Sequence, residues 1–171
     1  MDENKYPEGW MVVDHVIPGV TTEMIDWWWD NMGPSERYKL WHPTDHVSFV
    51  WEVDPAENGH VGAIQAIQEY INGGELRSIR IRWDDPKTVP FTPVYSHFIV
   101  GSGLAPDNSV RTRLVHEYED VPDGVRYRTT FLWSFPRTDA DVENLRIHNI
   151  GEVGRFPEFL PELYRKETGR A

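Results

Sequence analysis

The sequence predicts an α+β fold of the helix-grip type: a curved antiparallel sheet of about six to seven strands wrapped round a long C-terminal helix. Three observations lead there. Runs dominated by valine and aromatic residues follow one another from VSFVWEV onward, separated by compact Asn, Gly and Pro turns. An amphipathic segment near the C-terminus carries Val142, Leu145, His148, Glu152 and Phe156 on or near one stripe. Aromatic residues make up 13% of the chain, enough to line a small-molecule cavity as well as fill a core.

The elements follow in order. After Pro18-Gly19, Thr21 or Thr22 can cap a helix over Glu23 to Met32, which Gly33-Pro34 stops. Trp27, Trp28 and Trp29 cannot all face one side of it, so at least one lies at a boundary or lines the pocket. Arg37 to Trp41 reads as a lead into HPTDH and the first β-run. Beyond the Asn58-Gly59 turn come strands over His60 to Ile71, Leu76 to Trp83, Val94 to Gly101, Val110 to Glu119 and Val125 to Phe135. Asn72-Gly73-Gly74 and Pro122-Asp123-Gly124 are compact turns, so neighbours pair as hairpins. Arg111, Arg113, Arg126 and Arg128 alternate with apolar or aromatic residues, marking one wet face and one buried face. Asp139 or Asp141 caps the last helix, which Pro157 and Pro161 then break.

Composition narrows the chemistry. At 171 residues the chain reads as a single domain, 1–171, large enough for a core and a cavity. The start, MDENKYPEGW, has no basic segment leading into an apolar run, and no apolar stretch is long enough to span a bilayer, so a cytoplasmic location is expected. A formal charge of -11 disfavours nucleic acid and anionic membranes as partners. With no cysteine, any metal must be held by His, Asp or Glu. No GxSxG, phosphate-cradling loop or dinucleotide fingerprint follows a strand.

His148 and Glu152, spaced i, i+4, share one helix face and can share one ion. Gly151 and Gly154 beside them weaken the helix, which suggests close packing over another element. A second cluster, WHPTDH, offers His42 and His46, with Asp45 placed to orient an imidazole. Glu69 shares a strand face with Val61, Ala63, Gln65 and Ile67, where an acidic group needs a partner; Glu75 and Glu52 are weaker candidates. His116 and Tyr118 alternate with Val110, Thr112 and Leu114; Tyr127 shares a face with Phe131 and Trp133; His97 lies with Tyr95 and Ile99. These can donate protons or hold hydroxyls inside a cavity.

The order RYKLWHPTDH, QEYINGGELRSIRIRW and HNIGEVGRFPEFLPELY resembles the diacetylphloroglucinol hydrolase family, which includes phloretin hydrolase, over about Met24 to Tyr164. The resemblance implies a Bet v 1-like and START-like fold and a zinc-dependent hydrolase that cleaves a carbon-carbon bond between an acyl group and a phenolic ring. It implies His148, Glu152, His46 and Glu69 as metal ligands, with His46 preferred over His42 because Tyr38 stands upstream where a family tyrosine holds a substrate hydroxyl. His116 or His97 is then the proton-transfer group, and Tyr38, His42, Tyr118, Tyr127 and Trp133 meet the substrate. The expected partner is a small aromatic or polyketide molecule, and the aromatic-rich surface leaves room for a homodimer. Two alternatives keep the fold: a non-catalytic carrier of a hydrophobic ligand, and a metal-dependent cyclase, decarboxylase or isomerase of an aromatic polyketide pathway.

Overall fold

Seven strands form one antiparallel sheet in the order β1-β7-β6-β5-β4-β3-β2, in a computed structural model that describes residues 9–56 and 59–170. The strands are β1 (Trp10–Pro18), β2 (His46–Val53), β3 (Ile64–Glu69), β4 (Arg77–Asp84), β5 (His97–Leu104), β6 (Val110–Val121) and β7 (Gly124–Trp133). From β2 to β7 the chain is a meander, each strand pairing with the next. β1 lies instead against the far edge of β7, so the segment from β1 to β2 must travel from one edge of the sheet to the other. Helices α1 (Thr22–Asn31) and α2 (Ser35–Trp41) make that journey. The C-terminal helices α3 (Asp139–Val153) and α4 (Phe156–Thr168) pack against β1, and α4 also packs on α1 and α2. This is the helix-grip arrangement. Among the described residues no helix is long and apolar enough to cross a membrane.

The buried cluster sits between the sheet's inner face and the helices. Trp28 and Trp29 are fully buried and meet Trp41, Phe156 and Phe159 edge-on or tilted, while Trp27 lies at the boundary against Tyr164. That division answers the problem of three consecutive tryptophans on one helix.

Several expectations are corrected. The strand β1 was not expected: Asp14 and His15 interrupt its apolar run, yet Met11, Val13 and Ile17 are buried. Arg37 to Trp41 is not a lead-in but most of α2. Of the Asn58-Gly59 turn, Asn58 lies outside the described residues, and Gly59 has a φ of 100°. His60 to Ala63 does not belong to β3, because Gly59 and Gly62 both take positive φ and turn the chain there; Val61 is therefore exposed rather than on the Glu69 face. Val94 and Tyr95 precede β5, since their N–H groups go to the buried Glu117 carboxylate instead of a ladder. β7 ends at Trp133, before Phe135.

The last helix is two helices. Thr138, not Asp139 or Asp141, is the N-cap of α3, and Asp141 completes a capping box with it. Pro157 opens α4 rather than ending a helix, since the first turn needs no proline N–H. Pro161 lies inside α4, where burial of Phe156, Phe159, Leu160 and Tyr164 outweighs its local cost.

Trp28→Ala should therefore lower unfolding free energy by about 3–5 kcal/mol, and Thr138→Ala by about 1 kcal/mol, as read from urea denaturation.

Candidate metal centre

Strand pairing builds the first half of the site. His46 opens β2 and is the register partner of Glu69, which ends β3, so the hairpin alone sets an imidazole beside a carboxylate. The second half is helical: His148 and Glu152 lie one turn apart on α3. All four side chains are buried. His46 Nε2 lies 3.6 Å from Glu69 Oε2 and 3.6 Å from Glu152 Oε2, and His148 Nε2 lies 3.9 Å from Glu69 Oε1 and 3.9 Å from Glu152 Oε2.

These separations are too long for hydrogen bonds. They are close to the spacing of ligand atoms round a tetrahedral ion, about 3.4 Å for bonds of about 2.1 Å. The remaining ring nitrogens are already engaged. His46 Nδ1 lies 3.0 Å from the Tyr38 carbonyl, and His148 Nδ1 lies 2.8 Å from Asp45 Oδ2. Each acceptor favours the proton on Nδ1 and turns the Nε2 lone pair to the centre, the outer support a metal-bound imidazole requires. His46 Nε2 is buried with no hydrogen-bond partner. An orphaned imidazole nitrogen facing two carboxylates fits a divalent cation, and the all-nitrogen-and-oxygen donor set suits zinc among others.

The local electrostatics agree. Burial would push the Glu152 carboxyl up, but the His46 and His148 imidazoles beside it hold it at about 2, so it is anionic at neutral pH. Burial likewise works against a charged His148, yet Glu152, Glu69 and Asp45 together raise its pKa. Burial, aided by His15 and opposed by the Glu152 carboxylate, lowers His116 to about 4, leaving it neutral.

The other expected residues divide by place. Tyr38 stacks on His46 at 3.9 Å and donates to Glu69 Oε2 at 2.6 Å, so its hydroxyl supports a carboxylate of the cluster. His42 stacks on His148 at 4.9 Å and forms with Asp45 and His148 a second group whose ligand atoms lie within 4.8 Å of one another, with Asp45 taking His148 Nδ1. Gly151 makes this possible, because a Cβ there would come within 2.6 Å of His42 Nε2. Asp45 orients two imidazoles: its carboxylate lies 2.8 Å from His148 Nδ1, and its N–H donates to His42 Nδ1 at 3.2 Å. His116 lines the same chamber as Tyr38, Glu69, His148 and Glu152. Tyr118 and Tyr127 are buried deeper, stacked at 5.6 Å, and Tyr118 donates to Asp26. Trp133 lines a wider outer cavity.

The structure does not bring His97 to the centre. It pairs with Asp26 at 3.0 Å, beside a separate cavity that also holds Asp30 and His60. Glu75 is exposed, and Glu52 pairs with Arg80. Sequence reasoning missed Asn149, which donates to Glu152 Oε1 at 2.9 Å and lies 3.1 Å from His15 Nε2. Its i, i+3 spacing from Glu152 was the available signal.

The chamber lined by Glu69, His148 and Glu152 encloses about 70 Å³, and the adjoining outer cavity about 530 Å³. Glu69, Ile81, Leu114, Phe131 and Leu145 are walls of both. Small aromatic molecules fit the larger volume.

Residues 4–135 match one protein family, the DAPG hydrolase PhiG domain. The chain belongs to this family. Similar curated proteins are phloretin hydrolase of Eubacterium ramulus, 26% identical over 88% of this chain and 65% of that protein, and 2,4-diacetylphloroglucinol hydrolase of Pseudomonas protegens, 27% identical over 88% and 62%. The chain thus spans less than two thirds of the length of these relatives. The match to the family ends before α3, so His148 and Glu152 join the site through geometry that lies outside it. Solved structures share the fold: Ara h 8.0201 superposes with a TM-score of 0.61 at 9% identity, covering 90% of this chain and 97% of that one. The Zhui aromatase/cyclase from Streptomyces sp. R1128 gives 0.57 at 12%, covering 95% and 97%.

Two outcomes are expected. Gly151→Ala should displace His42 from His148, lower stability by about 1–3 kcal/mol and weaken metal binding in a competition titration with a chelating dye. In metal-free protein, the depressed His116 contributes stability that is complete above its ordinary value of 6.5 and is lost as pH falls toward about 4. Urea unfolding in chelator at pH 7 and 4.5 should show a loss that His116→Gln reduces.

Proposed function

We propose that this chain is a zinc-dependent hydrolase that cleaves the carbon-carbon bond between an acyl group and a phenolic ring. The observation that carries this reading is the convergence of His46, His148 and Glu152, whose ligand atoms lie within 4.8 Å of one another, with Glu69 beside both imidazoles and His46 Nε2 lacking any other partner, next to a chamber with aromatic walls. The names of its relatives, phloretin hydrolase and 2,4-diacetylphloroglucinol hydrolase, support the substrate class.

A bound divalent ion supplies Lewis acidity for an acyl carbonyl and makes water more acidic. Everything else falls to the chain. His46, Glu69, His148 and Glu152 hold the ion; Asp45 and the Tyr38 carbonyl fix the two imidazoles. The Tyr38 hydroxyl keeps the Glu69 carboxylate in its rotamer. Burial pushes that phenol's pKa well above the ordinary value, so it stays a donor across the neutral range.

The bond to the ring breaks only if the ring carbon can accept the electron pair. His116, neutral and lining the chamber, takes the proton of a phenolic hydroxyl and returns it to the acyl-bearing ring carbon, giving the keto form. Water then adds to the acyl carbon. The carbon-carbon bond opens, its electron pair passes into the ring ketone, and the products are a phenolate, which regains a proton, and a carboxylic acid.

Protein purified without chelator should contain about one zinc per chain by elemental analysis, and His148→Ala should lose it. Incubation with acylphloroglucinols should release free carboxylic acid, which His116→Ala slows by about 100-fold or more. Absence of stoichiometric metal, or a product that retains the acyl carbon on the ring, would sink the reading.

A further inference from the structure

The outer cavity has an electrostatic character that the chamber chemistry does not use. Among the described residues its wall includes Arg77, Arg111 and Arg137, against Asp141 and the buried Glu69 as acidic residues. This is unexpected in a chain of formal charge -11. Arg77 lies 4.0 Å from Asp141. Among the described residues neither Arg111 nor Arg137 makes an ion pair with a carboxylate. Both are held by rings instead. The Arg137 guanidinium carbon sits 5.2 Å from the Trp133 centroid and 5.2 Å from that of Phe135, and Arg111 sits 5.9 Å from Phe135.

Arg137 Nε is buried and lacks a hydrogen-bond partner. An orphaned guanidinium donor is costly and asks for an acceptor. Partial burial together with the nearby Arg77 charge disfavours the cationic form of Arg137 by more than the nearby Asp141 restores, and the charge of a bound anion would offset that penalty. A guanidinium kept flat by aromatic stacking offers its fork to a planar oxyanion, which it binds through two parallel hydrogen bonds. The two spaces adjoin through shared walls, so a molecule whose acyl group lies toward the chamber has its other end on the side of the arginines.

From this the geometry points to a carboxylate subsite formed by Arg137 and Arg111, which selects acyl aromatic substrates bearing a carboxylate at the end remote from the acyl group. The inference rests on the acyl-aromatic reading above for the orientation of the molecule, and its test is independent of turnover.

Calorimetric titration of the zinc-loaded protein with 4-acetylbenzoate and with its neutral counterpart 4-acetylbenzamide supplies the test. The benzoate should bind about tenfold or more tightly, by an advantage that narrows between about 50 and about 200 mM salt. Arg137→Gln and Arg111→Gln should each reduce the ratio several-fold, while Arg137→Lys should keep part of it. Repeating the titration after zinc removal separates the arginines from the ion, and the preference should persist. Equal affinity for the two ligands would overturn the subsite, as would a preference that survives both glutamine variants or disappears with the metal. Should one variant fail to fold, the other and the wild-type ratio still decide. Release of carboxylic acid is scored separately: a retained preference without any cleavage supports the subsite and removes the hydrolase reading alone.

Discussion

Asp45 ties three separate pieces of chain into one arrangement. Its carboxylate accepts from His148 Nδ1 on α3 at 2.8 Å and from the backbone N–H of Asn72, in the turn after β3, at 2.9 Å. Its own carbonyl accepts from the Tyr70 N–H at 2.9 Å. Burial would raise its pKa, but hydrogen bonding to His148 and the nearby His42 hold it below the usual carboxylate range, so it remains an anion. The tautomer of His148 follows from this side chain, and the seating of α3 over the sheet draws on it together with the hydrogen bonds of Asn72 to Asn144 and of Asn149 to Thr129. Remove it and the strand-borne and helix-borne halves of the cluster lose their common reference point.

Around that anchor the polar groups are arranged in order of exposure to charge. Glu152 and Glu69 face inward, and each has a neutral donor behind it: Asn149 for Glu152, and the Tyr38 hydroxyl for Glu69. Such donors fix a carboxylate's rotamer without neutralising it. The aromatic packing of Tyr38 on His46 and of His42 on His148 then limits how far either imidazole can tilt. Rigidity here comes from flat rings in contact, which lose little entropy on ordering.

Much of this was legible in the sequence, for identifiable reasons. Strand alternation exposed Glu69 as an acidic residue on a face shared with Gln65 and Ile67, and helical spacing paired His148 with Glu152. Both are short-range regularities. What the pattern did not disclose were relations set by tertiary packing. β1 was hidden because a strand carrying Asp14 and His15 shows a diluted alternation, and only its pairing with β7 reveals it. The partner of Asp45 was hidden because His148 lies 103 residues further along the chain. His97 sits on the expected sheet face but at the wrong end of it, a distinction that alternation alone does not make. The division of the final helix at Gly154 was obscured because a proline at a helix start and a proline at a helix end look alike in sequence.

The register pair His46 and Glu69 has a wider meaning for how the molecule reaches its working state. A hairpin can form early and locally, and it would present one imidazole and one carboxylate, an incomplete claw with little hold on an ion. The claw closes only when α3 settles onto the sheet. On the proposed metal-dependent reading, ion capture and the docking of the C-terminal helix would be one thermodynamic event: an ion bound to the closed form would strengthen the seating of α3 by mass action, and its withdrawal would loosen that helix.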